Sequence, residues 1–221
     1  MVIKTNSDKE LFDKVFEIFM DEYKNSITEK GRFSVALSGG DTPKELFKRL
    51  VKSKIKWKNV DVFMVDERYL PPDHVDSNYK LLWDKLLSKI DIPIGNIRVI
   101  KYMESLETSR LEYEKEIEAF INVKENSFDV IVLGMGKDGH TASIFPDNLK
   151  MTGTVVPSLE SEVHKYNRIS LSLEIINSFR KKLFILKKDK EEILDLVLSN
   201  NDYPSSFVRG NVIYVINEED K

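Results

Sequence analysis

Cysteine is absent from this sequence, and histidine is scarce. With no cysteine, disulfide bonds, thiolate metal ligands and a cysteine nucleophile are all excluded. The three histidines, His74, His140 and His164, lie far apart and lack the i, i+4 spacing of a helical metal-binding pair. We therefore expect a protein that needs neither a metal ion nor another cofactor.

An excess of positive charge and long apolar segments are also missing. Lys and Arg number 34 and Asp and Glu 37, which gives a net charge of −3 at pH 7. Domains that bind nucleic acid are usually basic, so we expect no nucleic-acid partner. No apolar run approaches the roughly 18 residues of a membrane span, and the first residues, MVIKTNSDKE, do not resemble a secretory signal. We expect a cytoplasmic protein with no membrane partner.

What the sequence does contain is a regular alternation of short β-rich runs and helical segments. Strands are predicted at 33–37, 60–65, 97–100, 128–133, 168–172, 182–186 and 212–216. Helices are predicted at 8–23, from about 43 to 50, and at 78–87, 106–121 and 189–198. The alternation predicts one α/β domain, residues 1–221, with a mainly parallel, doubly wound (Rossmann-like) sheet and helices on both faces.

Three polar segments follow predicted strands directly. They are SGGDTP (38–43), DERY (66–69) and GMGKDGH (134–140). In doubly wound sheets, ligands bind beyond the carboxyl ends of the strands. We therefore expect the three segments to open onto one edge of the sheet and to form one site.

The SGGDTP segment combines a glycine turn with a helix start. Gly39 and Gly40 leave backbone N–H groups uncovered, and Thr42, Pro43 and Glu45 are predicted at the N-cap, N1 and N3 positions of the helix. Such a turn can bind phosphate, because the unpaired N–H groups and the helix dipole favour an anion. The alternative is a plain, well-capped turn.

The DERY segment places three charged residues directly after a buried strand. Arg68 could clamp a substrate oxygen with its guanidinium while a neighbouring carboxylate fixes it. The alternative is a purely structural Asp–Arg pair.

The GMGKDGH segment allows two functional interpretations. Its glycines match the G-x-G-x-x-G pattern of dinucleotide-binding proteins, but Asp138 would then place a carboxylate where a pyrophosphate must lie. Alternatively, the glycines present Asp138 and His140 at the mouth of the site, where His140 could act as a general base, because histidine is the residue type whose unperturbed pKa suits that work near neutral pH. A structural histidine is the third possibility.

Basic residues further along the chain could complete an anion pocket. Arg168 begins a predicted strand, and Lys190 lies in the first turn of a predicted helix. Most of the 34 basic residues must be solvated, so either of these could be a surface residue instead. His74 and His164 have no comparable sequence context, and we predict both at the surface.

Taken together, these segments resemble the 6-phosphogluconolactonase family, which is related to glucosamine-6-phosphate deaminase. The resemblance covers essentially the whole chain. It is carried by VALSGGDTPKELF (35–47), FMVDERYLPPDHVDSNY (63–79), FDVIVLGMGKDGHTASIFP (128–146) and RISLSLEIIN (168–177). It implies the fold that these two families share.

The resemblance implies hydrolysis of 6-phospho-D-glucono-1,5-lactone to 6-phosphogluconate in the oxidative pentose phosphate pathway, by a monomeric enzyme without a cofactor. Of the catalytic residues implied, His140 is the general base that activates water, Asp138 its neighbour, and Arg68 an orienting cation. Where the family commonly has a glycine, three residues before Lys190, this chain has Lys187. The implied substrate- and phosphate-binding residues are Ser38, Gly39, Gly40, Thr42, Asp66, Asn78, Arg168 and Lys190.

Three other functions have to be weighed against a lactonase. Deaminase chemistry is disfavoured because the chain reads DERY and HTASIFP rather than the deaminase-like DEY and HIAFNEP. A sugar-phosphate-sensing regulator normally carries a helix-turn-helix segment, whereas only one helix is predicted before the strand at 33–37. A nucleotide-dependent dehydrogenase would rest on the G-x-G-x-x-G pattern alone.

Overall fold

The computed structural model describes residues 1–123, 127–162, 164–200 and 202–219. The described strands are β1 Val2–Thr5, β2 Phe33–Leu37, β3 Val60–Met64, β4 Asp66–Arg68, β5 Ile97–Arg98, β6 Val130–Leu133, β7 Val155–Ser158, β8 Arg168–Leu171, β9 Lys181–Leu186 and β10 Val212–Asn217. Seven of them form a parallel sheet in the order β1-β10-β9-β6-β2-β3-β5. Its central strands are fully buried, as their mainly apolar sequences favour, and the two polar residues among them, Ser34 and Asp61, are hydrogen-bonded.

Helices cover both faces of this sheet. They are α1 Asp8–Lys30, α2 Lys44–Val51, α3 Asn78–Lys85, α4 Leu106–Ile121, α5 Leu173–Ser178 and α6 Glu191–Ser199. Phe19 of α1 packs edge-to-face on Phe33 of β2, and Phe120 of α4 packs in the same way on Phe63 of β3. Phe63 is paired with Ala36, which lies an odd number of residues from Phe33. Because side chains alternate along a strand, α1 and α4 lie on opposite faces.

The strand order creates a topological switch point between β2 and β6. From β2 the chain proceeds outward through β3 to β5, and from β6 it proceeds outward in the other direction through β9 to β10. The crevice outside the carboxyl ends of two such neighbouring strands is where doubly wound proteins bind ligands. The segments 38–43 and 134–140 begin there. The predicted fold class is confirmed.

A second, antiparallel sheet was not predicted. It has the order β4-β8-β7, so the DER residues form a short strand and Arg168 begins a strand outside the parallel sheet. β4 is only three residues long and charged, and β7 contains Pro157, which argues against a strand in a sequence. Pro157 is tolerated because β7 is an edge strand. The prediction that the first strand begins at Phe33 was also wrong, since β1 pairs with β10 at the edge of the main sheet.

The boundaries of four helices, α1, α2, α3 and α6, differ from their predictions, and α5 was not predicted. α1 continues to Lys30 and ends at Gly31, whose φ of 72° and N–H bond to the Ile27 carbonyl form a left-handed C-cap. α2 begins at Lys44, and no side chain caps it. Thr42 is therefore not its N-cap, because residues 41–43 form a turn in which the Lys44 N–H bonds to the Asp41 carbonyl. Among the described helices, none has the length and apolar character that crossing a bilayer requires.

Candidate active site

A cavity of about 160 Å³ opens at the carboxyl ends of β2 and β6. Nine of the eleven predicted site residues line it, drawn from all three polar segments, from β8 and from the first residue of α3. Asp138 and Lys190 are the two that do not. The nine are Ser38, Gly39, Gly40, Thr42, Asp66, Arg68, Asn78, His140 and Arg168.

The glycine turn forms one wall, and it is held by two contacts. The Ser38 hydroxyl donates to the Val132 carbonyl over 2.8 Å, which ties the end of β2 to β6. Gly39 lies so close to Asn78 that a Cβ at this position would overlap the Asn78 amide. Gly40 has a φ of 86°, a conformation that side chains other than glycine rarely adopt. The sequence therefore needs both glycines for the shape of this wall.

His140 and Asp138 form a hydrogen-bonded pair at the end of β6. Nδ1 of His140 lies 2.6 Å from Oδ1 of Asp138, and the His140 backbone N–H donates to the same oxygen over 3.2 Å. This contact with His140 lowers the pKa of Asp138 to about 2. A carboxylate that is ionised at neutral pH only accepts hydrogen bonds. Nδ1 of His140 therefore carries its hydrogen, and the lone pair is on Nε2.

Gly136 and Gly139 make this pair possible. The Gly136 N–H donates to the His140 carbonyl over 2.8 Å, which closes the turn. A Cβ on Gly136 would overlap Nδ1 of His140 and Oδ1 of Asp138. Gly139 has a φ of 75°, and a Cβ there would lie 2.7 Å from the Tyr203 ring. The glycines of this segment thus serve the presentation of His140 and Asp138.

Arg68 and Arg168 lie opposite each other on the paired strands β4 and β8. Like charges in directly opposite positions repel, and burial together with the charge of Arg68 lowers the pKa of Arg168. In the described part of the chain, the Nε atoms of both arginines are buried without a hydrogen-bond partner. Unpaired buried donors are costly. Both arginines line the cavity, so this wall carries positive charge that favours an anion.

Asp66 is the carboxylate beside Arg168, at 3.7 Å from Nη1. Its Oδ2 accepts a 2.6 Å hydrogen bond from Ser143, a residue that the sequence analysis missed. Ser143 follows Ala142, whose φ of 53° is the one positive value found at a non-glycine residue in the described chain. Such strain typically occurs at functional sites. Nothing in the sequence HTAS distinguishes Ser143, because its partner, Asp66, lies on β4, a strand that was not predicted.

His164 is buried rather than at the surface, contrary to our prediction. It is 6% exposed, and its ring stacks on Phe145 with centroids 4.3 Å apart. The Phe145 ring also packs against the His140 ring, with centroids 4.5 Å apart, and its centroid lies 5.6 Å from Cζ of the Arg168 guanidinium. The Nε2 and Nδ1 atoms of His164 each lie 3.2 Å from an oxygen, of Ser158 and of the Tyr166 backbone respectively. His164 therefore supports the ring that packs on both His140 and Arg168.

Lys190 lies outside the cavity. Its amine is 3.2 Å from Asp189, just before the first residue of α6. Lys187, at the position of the family's glycine, instead lines a neighbouring cleft with Asp41 and Thr42. Among the described residues, no group of three or more His, Asp or Glu side chains is arranged to hold a metal ion.

Comparison with known proteins agrees with this geometry. A family model described as "Glucosamine-6-phosphate isomerases/6-phosphogluconolactonase" matches residues 6–215. A 6-phosphogluconolactonase of Nostoc is 32% identical, covering 93% of this chain and 90% of that protein. One from Thermotoga maritima is 32% identical, covering 90% and 89%. The crystal structure of 6-phosphogluconolactonase from Thermotoga maritima covers 98% of this chain and all of that one, with a TM-score of 0.90 and 29% identity.

The fold and the matches define an enzyme related to those that act on sugar phosphates. They do not support the dinucleotide-binding interpretation of the G-x-G-x-x-G pattern. The chain belongs to the glucosamine-6-phosphate isomerase/6-phosphogluconolactonase family. Because the relatives at 32% identity are 6-phosphogluconolactonases, the predicted class of enzyme, a lactone hydrolase, is confirmed. A monomeric glucosamine-6-phosphate deaminase has a TM-score of 0.82 at 20% identity, which shows a shared fold and no more.

Proposed function

We propose that this chain hydrolyses 6-phospho-D-glucono-1,5-lactone to 6-phospho-D-gluconate by His140-assisted attack of water, within the oxidative pentose phosphate pathway. The observation that carries the proposal is the pairing of His140 with Asp138 in one cavity with two arginines whose Nε atoms are unpaired. The first supplies a base and the second binds anionic oxygen. Hydrolysis of a phosphorylated lactone needs both a base and a group that binds the phosphate.

In this proposal Nε2 of His140 takes the proton from water as the water oxygen bonds to the lactone carbonyl carbon. Asp138 stabilises the imidazolium that forms, because its carboxylate stays ionised and accepts from Nδ1. The tetrahedral intermediate then collapses, the bond between the carbonyl carbon and the ring oxygen breaks, and the proton on His140 passes to that oxygen. The immediate products are a carboxylic acid and a hydroxyl group, and the acid releases its proton to solvent at neutral pH, so atoms and charges balance.

The cations of the site divide between the two ends of the substrate. We assign the phosphate to Arg168 with the glycine turn of Ser38, Gly39, Gly40 and Thr42, and we assign orientation of the lactone to Arg68. Holding the phosphate at a fixed distance presents the carbonyl to the attacking water, so binding energy remote from the reaction lowers its barrier. Asp66 and Asn78 support this arrangement, since Asp66 lies 3.7 Å from Arg168 and Asn78 packs against Gly39 of the glycine turn. Lys190 stays a predicted phosphate ligand.

The decisive experiment generates the lactone in place with glucose-6-phosphate dehydrogenase and follows 6-phosphogluconate with its own dehydrogenase. The lactone also hydrolyses spontaneously, so each rate is corrected by a reaction without the protein. We expect clear acceleration by the wild-type protein and no ammonia release from glucosamine 6-phosphate. Ammonia release without lactone turnover would reverse the assignment in favour of the deaminase.

Three further inferences accompany the proposal. We infer that residues 1–221 act as one domain, because the buried apolar residues of the described chain form one connected core. The monomeric state and the cytoplasmic location stay predictions. Size-exclusion chromatography with light scattering would test the first of these two, and fractionation of the source cells the second.

A further inference from the structure

Glu67 is a buried acid next to the site that the proposed mechanism does not use. It lies between Asp66 and Arg68 on β4, and its side chain points away from the cavity wall that they form. Only 4% of the residue is exposed. Burying a carboxylate is costly unless it is fully hydrogen-bonded, so its contacts require an explanation.

Four neutral donors satisfy this carboxylate. Oε1 accepts from the backbone N–H groups of Arg68 and Asn78, each over 2.7 Å. Oε2 accepts from the Tyr79 N–H over 2.6 Å and from the Ser77 hydroxyl over 3.0 Å. Asn78 and Tyr79 are the first two residues of α3, whose N–H groups have no partner within the helix. Burial raises the pKa of Glu67 to about 7, while these four donors favour its charged form.

The same segment holds Arg68 at its other end. Nη1 of Arg68 donates to the Asp76 carbonyl over 2.6 Å, and Asp76 directly precedes Ser77. Glu67 ties residues 77–79 to the backbone of β4, so it fixes the carbonyl of Asp76 relative to the Arg68 guanidinium. Arg68 is thus held at its backbone and at its head group by contacts that both depend on Glu67.

We propose that Glu67 is the positioning residue for Arg68: it anchors the start of α3 so that the guanidinium meets the lactone in one orientation. This inference rests on the proposed function, which gives Arg68 that role. Glutamine cannot replace Glu67, because its NH₂ group would replace one acceptor oxygen and face two donors. Aspartate keeps the charge but is one methylene shorter.

The test is a double-mutant cycle with Glu67→Gln and Arg68→Ala, measured by lactone turnover. We expect Glu67→Gln to lower kcat about tenfold in the wild-type background, the effect of about 1.4 kcal/mol. It should have almost no further effect in the Arg68→Ala background, because coupled residues are not additive. Inhibition by inorganic phosphate should stay within about twofold, because a residue that acts through Arg68 leaves the Arg168 side of the site unchanged.

Leu82→Val is the matched control for damage to α3. Leu82 is a buried residue of this helix whose apolar side chain cannot hydrogen-bond to Glu67, and the variant removes one methylene from the core at a cost of about 1 kcal/mol of stability. We expect it to lower the unfolding temperature while kcat stays within about twofold, since lost core packing is not a lost transition-state contact. If Glu67→Gln does not fold, the same cycle is run with Glu67→Asp.

Two results would overturn the positioning role. One is an equal loss of kcat from Glu67→Gln with and without Arg68, and the other is a loss no larger than that of Leu82→Val. Either result, with an active wild-type protein, leaves the proposed function intact. A wild-type protein without lactonase activity overturns the proposed function itself, and that is seen before any variant is compared.

Discussion

Replacing Asp138 with Asn tests the most specific part of the proposed mechanism. The variant keeps the size of the side chain but removes the charge that His140 contacts at 2.6 Å. His140 lowers the pKa of Asp138 from its ordinary 3.8 to about 2, which corresponds to about 2.4 kcal/mol. The Asp138 side chain is 42% exposed, so solvent screening reduces the interaction to about 1 kcal/mol.

We expect Asp138→Asn to lower kcat by at least about tenfold. Part of the loss is the missing charge beside the imidazolium. The remainder comes from the tautomer, because the Asn NH₂ group can donate to Nδ1 and move the hydrogen of His140 to Nε2. Background-corrected lactone hydrolysis measures the effect, and a parallel Asp138→Asn/His140→Ala variant measures the coupling. The double variant should be no slower than His140→Ala alone.

The same substitution has a pH signature in stability. The pKa of Asp138 is lowered in the folded protein, so the ionised carboxylate stabilises the fold above about pH 4, the ordinary value of the group. That contribution is lost as the pH falls toward 2. Urea unfolding at pH 7 should therefore show the variant less stable by at most about 1 kcal/mol, and the difference should shrink in acid. Asp138→Asn removes a full charge-assisted hydrogen bond to His140. A kcat of the variant above about half of the wild-type value would therefore refute the role of Asp138.

Four further substitutions test the chemistry, the binding and the shape of the site. His140→Ala should lower kcat by about 10²–10⁴-fold yet leave binding of 6-phosphogluconate nearly unchanged by calorimetry; retention of a tenth of kcat would make His140 structural. Arg168→Ala should raise KM by about one to two decades and abolish the rise in unfolding temperature that inorganic phosphate gives the wild type; unchanged values would place the phosphate elsewhere. Lys190→Ala should do less, because the lysine lies outside the cavity and beside Asp189. Gly136→Ala should lose activity and about 1–3 kcal/mol of stability in urea unfolding, since its Cβ would overlap the His140–Asp138 pair.

The meeting of the three polar segments could be predicted because it depends only on the direction of the strands. Parallel strands end at the same edge of a sheet, so segments that follow β2, β3 and β6 must lie near one another. The glycines could be predicted for a similar reason, since a tight turn directly after a strand needs them. Gly39 and Gly136 are required for a different reason, because a Cβ at either position would overlap a neighbouring side chain. Only the structure shows these close approaches.

The contacts of the second sheet could not be predicted in the same way. Arg68 and Arg168 are one hundred residues apart, and their opposition depends on the register of β4 against β8. The strand β8 was predicted, but β4 is three charged residues without a strand pattern, so nothing in the sequence indicates that the two strands pair. The burial of His164 has the same origin: its partners, Phe145 and Ser158, come from segments whose arrangement follows from that sheet.

The two sheets therefore contribute different halves of the site. The parallel sheet presents the base and the glycine turn at its switch point, a position common to many doubly wound proteins with unrelated ligands. The small antiparallel sheet places two arginines with unpaired Nε atoms against the same cavity. Their mutual repulsion is relieved when an anionic group binds beside either guanidinium, because the negative charge offsets it. In the proposed function, phosphate recognition therefore depends on Arg168 of the second sheet together with the glycine turn of the first, and activation of water depends on His140, which follows the first sheet's β6.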